Sequence, residues 1–267
     1  MGPDIGPILD QWPYESGQVT VRKIRGADGR EKLQLRLDLG LLQMEVQGRP
    51  DGRRPHDCDS VLKHVERRLA DYRLAHGADV GFDLDEPIQA ELRDEALMNY
   101  HRYLSLYVLE DFDGVVRDTS ANLRIFDLVK AYSPAPADRA SLEQYRPYVV
   151  MMNTRARAQR ALGRGDPRHA MAVVNSGLAA IRHFLRENGR GDLFRHASEV
   201  TILRDLRREI APKLPRDPVR VLKRRLNRAV QAERYEEAAR LRDRIESLLA
   251  QQVPTQPPPA LSGDHPS

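Results

Sequence analysis

The chain holds a single cysteine, Cys58, in 267 residues. One thiol excludes an internal disulfide and every zinc site built on several cysteines. His56 stands two residues before it, but two ligands do not hold a metal, and the pair reads as part of a loop. Neither a metal nor a cofactor is expected. Aromatic residues are only 6% of the chain, so the core must be built chiefly from aliphatic side chains and alanine. No apolar run approaches the roughly 18 residues of a membrane span. The opening MGPDIGPILD lacks the basic stretch and apolar core of a secretion signal. Gly6 stands where lipidation at Gly2 would need Ser or Thr. A cytoplasmic location is expected.

Catalytic signatures are also missing. There is no GxxxxGKS/T phosphate loop, no GxSxG elbow and no HExxH pair. Asp111-Phe112-Asp113-Gly114 begins like a calcium loop, but Val116 and Asn122 hold the places that need glycine and an acid. The same four residues look like a kinase DFG, but without a glycine-rich or catalytic loop to accompany it. They read as a turn between helices. The eight histidines are scattered, and Asp83-Leu84-Asp85-Glu86 reads as a loop before Pro87. No enzymatic activity is expected.

Charge is plentiful but nearly balanced, with 43 basic and 39 acidic residues. A net charge of +4 and a pI of about 9.3 are mildly basic, so the placement of charge carries more information than its sum.

Three regions follow from the patterning, and the expected class is α+β, mainly α. Residues 1–17 read as irregular, with Trp12-Pro13-Tyr14 as an aromatic hook onto the next unit. Period-2 alternation then marks three antiparallel strands at about 18–25, 30–38 and 41–47. Leu33, Leu35, Leu37 and Leu39 are expected on one apolar face. Domain 1–55 would end with GRPDGRR and Pro55. From 56 to 212 the spacing turns to threes and fours. A first helix, capped by Asp59 or Ser60 and ended by Gly77, supplies one cover for the strands. Two helical pairs follow. One spans Glu91–Tyr132 and breaks at Glu110–Asp113. The other runs from Val149 to Leu185 and breaks at Gly163–Pro167. Pro134, Pro136 and Pro147 mark a linker between them. Ala156, Ala161, Ala170 and Gly177 in the second pair resemble the small-residue spacing of tetratricopeptide-like hairpins, against which stands an irregular helical bundle. A last helix of the body is expected over Leu193–Ile210.

Residues 213–217 form a proline-marked linker, and 251–267 form a polar, proline-rich tail expected to be disordered. Between them lies DPVRVLKRRLNRAVQAERYEEAARLRDRIESLL. Leu222, Leu226 and Ala229, then Ala238, Leu241, Ile245 and Leu248, give each half one apolar seam, with a break near Glu233. This predicts an antiparallel hairpin over 218–250. Ala238-Ala239 would let the backbones approach, and Tyr235 would pack over the turn. The first helix carries Arg220, Lys223, Arg224, Arg225 and Arg228 without an acid.

The residues Leu226, Ala229, Val230, Glu233, Tyr235, Glu236, Ala238, Ala239, Leu241, Arg242, Asp243 and Ile245 resemble the UVR motif. This is the short helical hairpin shared by the bacterial repair proteins UvrB and UvrC. The resemblance implies an element of protein–protein contact that pairs with a like hairpin, and not a catalytic unit. The helicase, nuclease, zinc-module and ATPase signatures of proteins that carry the motif are absent. About 33 residues also bury too little surface to be stable alone, which favours docking on a partner or a second copy. The expected function is that of a non-enzymatic adaptor acting through the hairpin. The alternative is a nucleic-acid-associated protein, linked to DNA repair, that uses the basic helix 219–232.

Overall fold

A computed structural model describes residues 4–215 and 218–250. The chain is α+β and mainly α. It divides into two compact units, one ending at Lys213 and the other beginning at Leu214.

In the first unit, a short helix α1 (Gly6–Asp10) stands where irregular chain is expected. Three strands follow, β1 (Val21–Arg25), β2 (Glu31–Leu37) and β3 (Gly40–Glu45), in the antiparallel order β1-β2-β3. The register pairs Leu33 with Met44 and Leu35 with Leu42. Leu33, Leu35 and Met44 are buried, but Leu37 is exposed at the end of β2 and Leu39 is 90% exposed. The two-residue turn between Leu37 and Gly40 points Leu39 into solvent, so the apolar face ends at Leu35. The opposite face of the sheet is also covered. Gln34 and Arg36 are buried there. Arg36 Nε donates to the Trp12 carbonyl at 2.7 Å, and Arg22 lies 4.2 Å over the Trp12 ring. The aromatic hook thus seats on arginines of the polar sheet face.

Helix α2 (Val61–His76) has the expected ends: Ser60 accepts from the Lys63 N–H, and Gly77 closes it with φ 75°. A carboxylate also serves the helix start, since Glu95 accepts from the Val61 and Leu62 N–H groups. Helix α3 (Glu86–Val108) starts earlier than expected, because Asp85 caps it by accepting from the Ile88 N–H. The acidic run 83–86 is therefore a helix start and not only a loop. Helix α4 (Phe112–Tyr132) is capped by Asp111, which accepts from the Gly114 N–H at 3.0 Å. The four residues that begin like a calcium loop are a helix cap.

The proline-marked stretch is itself partly helical. It contains α5 (Pro136–Ser141) and a single tight turn (Glu143–Tyr145) before α6 (Arg146–Gly163). Helix α7 (Pro167–Glu187) begins behind Asp166, which accepts from the His169 N–H. The last helix of this unit, α8 (Ser198–Ile210), begins five residues later than Leu193, because Gly191–Arg195 forms a tighter turn of its own.

Helix α4 packs against both α3 and α6, and α7 packs against α6 and α8. Ala156, Ala161 and Ala170 are buried at these crossings. A Cβ at Gly177 would meet the Thr154 hydroxyl and lie 2.6 Å from its Cγ2, so only glycine fits between α7 and α6. Apolar packing forms two clusters. One joins the sheet residues Leu33, Leu35 and Met44 to Tyr103, Leu106 and the α6–α8 side chains. The other joins α2 to parts of α3 and α4. The sheet is thus covered by α3 and not by α2, and it shares its core with the helices despite the boundary at residue 55.

A buried ion pair links these layers. Arg102 and Asp118 are 3% and 2% exposed at their side chains. Arg102 Nε and Nη2 donate to the two Asp118 oxygens at 2.7 and 2.8 Å. Arg102 Nη1 donates to the carbonyls of Glu45 and Gly48, and Arg117 joins Asp118 to the Val46 carbonyl. The last carbonyl of β3 and two just past it thus accept from arginines of α3 and α4.

Candidate functional site

The second unit is the hairpin. Helices α9 (Pro218–Gln231) and α10 (Tyr235–Ala250) are joined by three residues and pack along one another. The turn has a defined mechanism. The Arg234 N–H donates to the Ala229 carbonyl at 2.9 Å and the Glu233 N–H to that of Val230 at 3.1 Å, with Glu233 at φ 57°. This is a Schellman ending, in which the left-handed residue is usually glycine. The same pair of bonds ends α3 at Glu110, with φ 57°.

The seam lies where the spacing places it. Ala229, Ala238 and Ile245 are buried, and Leu222, Leu226, Leu241 and Leu248 are partly buried. Two residues depart from the expected roles. Tyr235 is 69% exposed and does not pack over the turn. Ala239 is exposed, so Ala238 alone provides the close approach. The reason is geometric: Ala238 and Ala239 differ by about 100° around the helix, so only one can face α9.

The hairpin's outer surface has two kinds of side chain. Val230 is 49% exposed and, with Tyr235, places large apolar groups on either side of the turn. Lys223, Arg224, Arg225 and Arg228 are exposed along α9, and none makes an ion pair among the described residues. The side chain of Arg220 and residues 216, 217 and 251–267 lie outside the described residues, and with them part of the expected linker and the whole expected tail. On α10 the charges are mixed. Glu237 pairs with Arg234 at 3.6 Å and Asp243 with Arg242 at 3.5 Å.

The first unit holds a feature that sequence reasoning missed. A cavity of about 630 Å³ opens between α3 and α6 above α4, and Tyr100, Tyr103, Tyr145 and Tyr148 line it. The spacing Arg93, Ala96, Leu97, Tyr100, Tyr103 along one face of α3 is the pattern of a core-facing stripe, so periodicity cannot tell a cavity wall from a packed interface. His56 and Cys58, weighed as ligands, serve other contacts. His56 bonds Glu91 at 2.8 Å and stacks on His64, while Cys58 is buried. Among the described residues no three His, Cys, Asp or Glu side chains converge as a metal site. No helix among them is long and apolar enough to cross a membrane.

No curated protein and no solved structure matches the chain. A family model does match, over 35 residues and only at the hairpin: the chain carries a UvrB/uvrC (UVR) motif at residues 217–251.

Proposed function

We propose that this is a non-enzymatic interaction protein whose UVR hairpin contacts a protein partner or a second copy of the chain. The observation that carries this reading is the hairpin's surface. Its seam is filled by its own side chains, yet Val230 and Tyr235 stay exposed at the turn. Exposed large apolar groups beside a rigid turn are well placed to anchor an interface, where tyrosine is among the preferred anchors. The UVR motif occurs in contexts of protein contact and of DNA repair, which agrees with this role.

The test compares the full chain with variants altered only at the tip, Val230→Glu and Tyr235→Arg, and with deletion of 216–250. Sedimentation and pull-down are expected to show loss of the complex in all three, with the helical content of the first unit kept. Complexes unchanged by the deletion would refute the proposal.

A second reading rests on a separate observation, the unpaired basic residues of α9. Four exposed cations on one helix, unpaired among the described residues, offer positive charge suited to phosphate. In this reading the protein associates with nucleic acid. The double variant Arg224→Glu, Arg225→Glu would abolish binding to duplex DNA, and the wild-type affinity would fall steeply with salt. No binding to duplex DNA at low salt would exclude it.

A further inference from the structure

We infer that the tyrosine-lined cavity of the first unit is a binding site for a small organic acid, a molecule with an elongated apolar body and one anionic head. This inference is independent of the hairpin's role, because every residue it uses lies before residue 150.

The cavity has the size of a ligand pocket, about 630 Å³ against the usual range of about 300–1,000 Å³. Its walls are mostly apolar, with Leu97, Phe126 and Val149 among them. The groups that specify the ligand are its polar ones. None of the hydroxyls of Tyr100, Tyr103, Tyr145 and Tyr148 makes a hydrogen bond among the described residues. Tyr103 is the most telling. The residue is 1% exposed and lines the cavity, and its hydroxyl has no hydrogen-bond partner among the described residues. A hydroxyl in such a setting that no protein group engages is one that a bound acceptor would satisfy. Burial pushes the Tyr103 hydroxyl far above the ordinary tyrosine range, and burial also raises Tyr148. Both therefore stay protonated at neutral pH and remain donors.

Arg93 also lines the cavity and makes no ion pair or hydrogen bond among the described residues. The other two polar side chains of the lining are already engaged. Asn122 bonds Asn99 and the Ala96 carbonyl, and Ser141 donates to the Asp138 carbonyl. No aspartate or glutamate is among the lining residues. The unengaged groups are thus hydroxyls and one guanidinium, with no carboxylate in the lining itself. Such a set favours an anion with acceptor oxygens and disfavours amines and cations.

Geometry gives the ligand its shape. Arg93 and Tyr103 lie on one face of α3 ten residues apart, which is about 15 Å along the axis. The anionic head belongs at Arg93. The body runs past the Tyr100 and Tyr148 rings, whose centroids are 6.3 Å apart, and its far end reaches Tyr103. Leu97 and Tyr145, 56% and 55% exposed, mark the mouth.

The test uses the full chain and titration calorimetry with dodecanoate and phenylbutyrate, each paired with its neutral alcohol. The acids are expected to fill one site per chain. Arg93→Gln should weaken the acids by about tenfold, the worth of one charge-assisted hydrogen bond, and leave the alcohols unchanged. Leu97→Trp, at an exposed position, should block all of them without disturbing the fold. Tyr103→Phe separates a ligand role from a structural one. It should weaken binding several-fold while leaving the unliganded melting temperature equal or higher, because it removes a hydroxyl that bonds nothing. Absence of binding by both acids would overturn the inference. So would binding that survives Leu97→Trp, or a lower melting temperature in Tyr103→Phe with unchanged affinity.

Discussion

The Arg102–Asp118 pair sets the largest expected change in stability. Replacing Arg102 with Met leaves the Asp118 carboxylate, 2% exposed, with only the partly exposed Arg117 as counter-charge. It also strips donors from the carbonyls of Glu45 and Gly48. Breaking one member of a buried pair costs about 3–5 kcal/mol. The two carbonyls belong to a half-buried and an exposed residue, so water can replace the lost donors there at small cost. The expected loss for Arg102→Met is therefore about 4 kcal/mol, a large part of the roughly 5–15 kcal/mol that holds a domain folded. Asp118→Leu should cost about 3–5 kcal/mol by leaving Arg102 charged and buried. The double variant Arg102→Met, Asp118→Leu should be less damaging than the sum of the singles by about 2 kcal/mol or more, because neither charge is then left alone. Urea unfolding followed by circular dichroism measures all three. Single losses below about 1 kcal/mol, or strict additivity in the double variant, would refute the view that this pair clamps the end of the sheet onto α3 and α4.

Three further outcomes test other parts of the fold. Glu110→Gly and Glu233→Gly should each stabilise their unit by about 1 kcal/mol in thermal melts, because glycine removes the left-handed strain at φ 57°. Gly177→Ala should destabilise by about 1–3 kcal/mol through its clash with Thr154, and adding Thr154→Ala should recover only part of this, since the Thr154 Cβ would remain 2.9 Å away. Burial lowers the His64 and His101 imidazoles below their ordinary 6.5, with the neighbouring His56 adding to the effect at His64. Their unfolded forms then take up protons first as the pH drops. Stability should be full above about pH 6.5 and fall as the pH is lowered through it, and His64→Gln with His101→Gln should flatten that slope in urea titrations between pH 7.5 and 5.

Elements were legible where one residue type fixes one local conformation. Ser60, Asp166 and Gly77 each end or start a helix through their own side chain or their freedom at positive φ, and the sequence shows them directly. Strand pairing was legible for the same reason, as alternation from Leu33 to Leu35 with Leu42 and Met44 opposite. The errors arise where a distant group decides. Leu37 and Leu39 continue the alternation but fall at the end of β2 and in the turn after it, and Gln34 and Arg36 are buried on the face that Trp12 reaches. Nothing local to β2 records the reach of residue 12.

The same division separates the two candidate sites. A UVR hairpin is visible in sequence because its seam, turn and charge lie within 33 contiguous residues. Even so, which alanine faces the seam and whether Tyr235 is covered depend on helix phase, which composition leaves free. The cavity could not be read at all. Its tyrosines sit at spacings that a packed core would also use, and the void lies between stretches of α3 and α6 that touch elsewhere through Tyr100 and Tyr148. What singles those tyrosines out is not position but unmet chemistry: hydroxyls with no acceptor, beside an arginine with no acid. In a chain of 43 basic and 39 acidic residues, acids to pair with are abundant. The lack of one at Arg93 among the described residues is a property of the fold, which spacing along α3 does not record.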